Sequence, residues 1–127
     1  MIGVDSPTPL DLRFPLGPIP VRVSVLFWVC MGLIGWGFCE VASGNKWVNL
    51  LIWVACAFVS ILVHELGHAI AYRVFGSWAS ITLHTFGGHA QATDAPRAAW
   101  QRLVVAAAGP VAGLLLAGLV FLLRIAI

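Results

Sequence analysis

Three stretches of the chain carry no charged residue and are mostly apolar: 23–39, 48–63 and 103–123. Polar, charged, glycine and proline residues collect between them. A helix rises 1.5 Å per residue, so a run of about 20 apolar residues crosses a hydrocarbon layer about 30 Å thick. The pattern predicts three membrane-spanning helices, over 23–39, 48–75 and 103–123. The second continues past its uncharged run because apolar positions recur as far as Phe75, with Gly76 as the stop. The third is bounded by Arg102 and Arg124. Within it Gly109-Pro110 can bend the helix, and Gly109 with Gly113 offers a small face, expected to pack closely against the second span.

Two shorter segments follow a period of two. Leu12, Phe14 and Leu16 alternate with Arg13 and Pro15, which predicts a short extended piece at the membrane interface, within a polar, proline-bearing tail over 1–22. Gly17, Pro18 and Pro20 would turn it. After the second span, Ile81, Leu83 and Thr85 alternate with Thr82, His84 and Phe86, and Gly87-Gly88 supplies a tight turn before His89, Ala90, Gln91 and Ala92. This predicts a β-hairpin over 80–92. The connection 40–46 holds Ser43, Gly44 and Asn45 and reads as an exposed turn, flanked by Trp36 and Trp47 as interfacial anchors. The fold class is mainly α: a multi-pass membrane protein with one membrane-embedded domain over 1–127, three transmembrane helices, and a small β-hairpin between the second and third.

Composition agrees with lipid as the solvent. Of the 127 residues, 61% are hydrophobic and 9% charged, whereas an ordinary soluble domain carries about a quarter charged residues. A net charge of +2 without any polybasic cluster speaks against nucleic acid as a partner. Cys30, Cys39 and Cys56 are odd in number, lack a C-x-x-C spacing and lie in apolar segments, so they read as free thiols. The first apolar run begins near Val23, after Asp5, Asp11 and several prolines, unlike the short basic leader of a cleaved signal peptide. With three spans, the tail and the hairpin share one side with Arg13, Arg22, Arg73, Arg97 and Arg102, against Lys46 and Arg124 on the other. That bias predicts a cell-membrane protein whose amino terminus and hairpin face the cytoplasm.

The chemistry is concentrated in His64-Glu65-Leu66-Gly67-His68, inside the second span. Residues four apart share a helix face, so His64 and His68 can ligate one metal ion, with Glu65 beside them. Charged and imidazole groups are costly in hydrocarbon and there usually mark a functional site. Two histidines suit Zn²⁺, which lowers the pKa of a water molecule it binds, and Glu65 is placed to act as general base in peptide hydrolysis. A tetrahedral catalytic site needs a third protein ligand. Asp94, Glu40, His84 and His89 would each need a particular tertiary fold to reach the ion, and His84 and His89 read most simply as solvated hairpin residues.

The ordered combination of His64-Glu65-Leu66-Gly67-His68 in one span, Phe86-Gly87-Gly88 in a hairpin, and Ala108-Gly109-Pro110 with Gly113 in the next span resembles the site-2 protease family of intramembrane zinc metalloproteases. The resemblance covers nearly everything from Leu12 onward. It implies that His64 and His68 are zinc ligands and Glu65 the catalytic base. It also implies that the hairpin and the early extended segment form a small sheet at the cytoplasmic mouth of the site. Substrates would be membrane-anchored proteins cleaved in or near their transmembrane segments. An exposed edge of the hairpin, with Leu83, Thr85, Gly87 and Gly88, could hold the unwound substrate strand. Gly109, Pro110 and Gly113 would pack at the site.

The family's third ligand is an Asp from an Asp-Gly motif in a later span, and the chain ends at Ile127 before any such segment. The expectation is therefore a partial protease core that supplies the His-Glu-His portion. The remaining half of the protease, or a second copy of the chain, would supply the rest. The alternative is a non-catalytic membrane interaction module, or truncated protease scaffold, that binds metal without turnover. A prenyl-protein-processing protease has no reason to carry the double-glycine hairpin, and a transporter gives no role to the His-Glu-His spacing.

Overall fold

A computed structural model describes residues 9–85 and 87–127, so Phe86 and the first eight positions of the expected tail lie outside the described residues. The chain runs β1 (Leu12–Leu16), β2 (Ile19–Val23), α1 (Val25–Val41), α2 (Lys46–Val74), β3 (Ala79–His84), β4 (Gly87–Ala92) and α3 (Ala99–Ala126). Strands β1 and β2 form an antiparallel hairpin whose turn places Gly17 at φ +61°, a conformation in which other residues are strained. The sheet order is β1-β2-β3-β4, with β2 and β3 parallel and β3 and β4 antiparallel. The early extended segment and the later hairpin therefore join in one four-stranded sheet.

That junction is the centre of the core. Val21 pairs with Ile81 and Val23 with Leu83. These four, with Phe27 of α1, are the largest fully buried side chains. Ala69 of α2 completes the same cluster, with Phe58, Ile61, Leu62 and Leu66 packed against it. The sheet thus rests on α1 and on the half of α2 that carries the histidines. Ser24 fixes the passage from β2 into α1: its amide donates to the Leu83 carbonyl at 2.9 Å, and its hydroxyl accepts from the Leu26 amide at 3.3 Å. Asn45 caps α2 by accepting from the amides of Trp47 and Val48. At the other end of α2, Gly76 adopts φ +91° and lets the chain turn toward β3.

Most of the helical apolar surface is not covered by protein. Leu51 and Ile52 of α2, and Leu114, Leu115, Phe121 and Leu122 of α3, are all exposed. Helices α2, with 29 residues, and α3, with 28, are long and apolar enough to cross a membrane. Helix α1 is apolar but has 17 residues, about 25 Å, and falls short of that length. The structure therefore supports two crossing helices where the hydropathy pattern predicts three. Both long helices extend beyond the expected bounds, α2 starting at Lys46 and α3 running from Ala99 to Ala126. Pro110 lies inside α3, which continues through it.

The hairpin differs from expectation in its turn. Gly87 and Gly88 are the first residues of β4, paired with His84 and Leu83, and Thr85 ahead of them is a turn residue. Gly87 does need glycine, with φ +126°. Gly88 is required for a different reason, close approach to α2.

Candidate metal centre

His64 and His68 lie one turn apart on α2, and their Nε2 atoms converge to 3.2 Å. The rings are nearly perpendicular, at 76°, with centroids 4.9 Å apart. His68 Nδ1 lies 2.7 Å from the Val105 carbonyl oxygen of α3. A carbonyl can only accept, so Nδ1 carries the proton and Nε2 presents a lone pair toward His64. This is the arrangement in which a neighbouring acceptor fixes the tautomer of a metal-binding imidazole. Two nitrogens bound at 2.0–2.1 Å to a tetrahedral zinc ion lie about 3.3 Å apart. The observed pair fits as two of the ligands.

The packing of α3 on α2 sets this geometry through small residues. A Cβ at Gly109 would run into the His68 ring, meeting Cε1 at 2.5 Å and Cδ2 at 2.8 Å. A Cβ at Gly67, between the two histidines, would collide with the Ala108 carbonyl and lie 2.9 Å from the Ala112 Cβ. The expected small face is therefore half right. Gly109 does pack at the site, whereas a Cβ at Gly113 would meet nothing within 4 Å. The second point of close approach is Gly67 against Ala108 and Ala112.

Glu65 is buried and lines a cavity of about 400 Å³ together with His68, Tyr72, Gly88, His89 and Arg102. Strand β4 reaches this cavity because Gly88 lacks a side chain: a Cβ there would lie 3.1 Å from Glu65 Cγ and from Ile61 Cγ2, and 2.6 Å from Leu83 Cδ2. The hairpin is thus seated on the acid itself. Leu83 belongs to β3, which lies between β2 and β4, and is fully buried. The free edge on this side of the sheet is β4, not β3, and Thr85 lies in the turn.

The candidates for a third ligand fare as follows. Glu40 sits at the far end of α1, accepting from Trp36 Nε1 at 2.9 Å. Asp94 is exposed, and its backbone carbonyl accepts from the Ser77 hydroxyl. His84 is buried and its ring lies 5.2 Å from that of His89. Neither is a solvated hairpin residue, because β3 and β4 pack against α2, which buries His84 and half-buries His89. Burial, reinforced by His84, pushes the His89 imidazole below its ordinary value of 6.5, while Glu65 pulls in the other direction. Among the described residues, no group of three His, Cys, Asp or Glu side chains is placed to hold a metal. Sequence reasoning passed over Tyr72, Val105 and Arg102. Tyr72 follows His68 by one turn and was legible from spacing; Val105 acts through its backbone, and Arg102 reaches the cavity only through the packing of α3.

The model of peptidase family M50 matches residues 52–127. A Synechocystis sp. protein named as a candidate zinc metalloprotease is 34% identical over 106 residues, which is 77% of this chain and 28% of the relative. Among solved structures, the site-2 protease from Methanocaldococcus jannaschii aligns with a TM-score of 0.60 at 24% identity, over 80% of this chain and 45% of that one. The likeness to the solved structure is one of fold. The chain spans 28% of the curated relative and less than half of the solved protein.

Proposed function

Because the chain belongs to peptidase family M50, we propose that it is the His-Glu-His portion of a membrane-embedded zinc endopeptidase that cleaves membrane-anchored proteins in or near their transmembrane segments. The observation that carries this reading is the pair of Nε2 atoms 3.2 Å apart, one ring oriented by the Val105 carbonyl, beside a cavity that holds Glu65. His64 and His68 would hold the ion, with a further ligand from the rest of the protein or from a second copy. Zinc held there supplies Lewis acidity toward a peptide carbonyl and toward water.

The chain's own residues do the rest. Glu65 takes a proton from water in the cavity and delivers it to the leaving nitrogen. Val105 keeps the His68 lone pair aimed at the ion, and Gly109 leaves room for that ring. Gly88, His89 and Ala90 line the cavity from β4, an edge strand, so an unwound substrate segment can add to the sheet within reach of Glu65. In this reading α1 also crosses the bilayer, and the amino terminus and the cavity mouth face the cytoplasm. The reading is tested by reconstituting the full-length protein in vesicles with a membrane-anchored reporter. Cleavage that stops with a chelator, returns with zinc and is absent from Glu65→Gln supports it. Cleavage that persists in Glu65→Gln contradicts it.

A further inference from the structure

On the face of α2 turned away from the histidines lies a second, apolar groove of about 530 Å³, between Leu66, Ile70 and Val74 of the helix and Leu16, Pro18 and Ile19 of the β1–β2 hairpin. Its one charged lining residue is Arg73. Among the described residues the ion pairs belong to Arg13 and Arg22 with Asp11, and Arg73 is in none. Its Nη1 donates to the Ser77 carbonyl at 3.5 Å and the guanidinium lies over the Trp78 ring at 4.2 Å, but its Nε is buried and has no hydrogen-bond partner among the described residues. A buried donor without a partner costs about 1–3 kcal/mol, so this arrangement calls for an acceptor.

The depth of the groove suits a lipid. Lys46 and Arg73 sit near the two ends of α2, about 40 Å apart, which matches the span of a bilayer between its headgroup layers. Lys46 lies against Trp36 at one end and Arg73 against the exposed Trp78 at the other, as interfacial cation and aromatic pairs do. At Pro18 the groove adjoins a smaller pocket lined by Ser80, Gln91, Thr93 and Trp78, the ring on which Arg73 rests. An apolar channel, a guanidinium with an unsatisfied Nε and a hydroxyl- and amide-bearing pocket thus adjoin one another, as the acyl chain, phosphate and headgroup of a lipid do.

We propose that this groove is a binding site for an anionic glycerophospholipid of the surrounding bilayer, with an acyl chain along Leu66 and Ile70, the phosphate on Arg73 and the headgroup toward Ser80 and Gln91. A guanidinium suits a phosphate because its fork donates two parallel hydrogen bonds. The inference rests on the chain being membrane-embedded, as in the proposed function, but not on zinc or catalysis.

The test is native mass spectrometry of the purified full-length protein offered equal amounts of phosphatidylglycerol and phosphatidylcholine, with zinc content measured alongside. Wild type is expected to retain one phosphatidylglycerol per chain in preference to phosphatidylcholine. Arg73→Gln should weaken that retention about tenfold. Ile70→Trp, which fills the groove and keeps the charge, should weaken it as well, and both variants should keep the wild-type zinc content. Equal retention of the two lipids, unchanged phosphatidylglycerol binding in Arg73→Gln, or displacement by soluble glycerol phosphate would each overturn the proposal. Absence of zinc from all three proteins, with wild type still preferring phosphatidylglycerol and both variants losing that preference, would overturn the protease reading and leave this one standing.

Discussion

Gly109 and Gly113 lie one turn apart on α3 and should respond in opposite ways to the same methyl group. A Cβ at Gly109 would lie 2.5 and 2.8 Å from ring carbons of His68, so the ring must retreat by about 0.7 to 1 Å to reach ordinary carbon contact. Its Nδ1 is tied to the Val105 carbonyl at 2.7 Å, and retreat breaks that bond or withdraws Nε2 from His64. Metal sites tolerate displacements of about 0.2 Å, and loss of an orienting partner typically weakens metal binding about 10- to 100-fold, or about 1.4–2.7 kcal/mol. Alanine is the better helix former by about 1 kcal/mol, so any loss in Gly109→Ala is steric. The assay is chelator competition for zinc on the purified full-length protein. Gly109→Ala should bind zinc at least tenfold more weakly, and Gly113→Ala, whose added methyl meets nothing within 4 Å, should match wild type. Wild-type affinity in Gly109→Ala would refute the reasoning, as would equal weakening in both.

Other expectations follow from the same geometry. Glu65→Gln should retain zinc and lose about a hundred- to ten-thousand-fold in cleavage rate, measured on a membrane-anchored reporter. Gly88→Ala places a methyl 3.1 Å from Glu65 Cγ; turnover should fall with zinc content unchanged, and an unaltered rate would mean that the hairpin can yield. Leu83→Ala empties a fully buried site in the central strand, and thermal unfolding should report a loss of about 2–5 kcal/mol. His89 should titrate below 6.5 by NMR, and His84→Ala should raise its midpoint. Because its folded pKa is depressed, the unfolded chain takes up the proton first. His89 therefore costs stability progressively as pH falls from 6.5 to its folded midpoint, and no further below it.

Local signals in the sequence located the elements but not how they meet. The i, i+4 histidines and the apolar runs specify helices and a shared face with no help from distant residues, and α2 bears them out in the 3.2 Å convergence of the rings. The parallel pairing of Val21 with Ile81 spans two intervening helices, and no local period encodes it; the resemblance implied that the two segments share a sheet, but not this pairing. Gly87-Gly88 is a turn signal by composition, yet the second glycine serves close packing on Glu65. Leu83 alternates as an edge residue would, but an alternating strand looks the same whether one neighbour or two lie beside it. Gly109 and Gly113 satisfy the same spacing rule, and only the crossing of α2 and α3 decides that Gly67, and not Gly113, completes the contact.

The central claim is that two imidazoles on α2 present their Nε2 atoms to one ion. X-ray absorption at the zinc edge, with metal content, on the purified full-length protein tests it most directly. The account predicts one zinc per chain with nitrogen neighbours at about 2.0–2.1 Å, lost in His64→Ala and in His68→Ala. A protein free of metal after purification in the presence of zinc, or zinc retained in full by both variants, would contradict it.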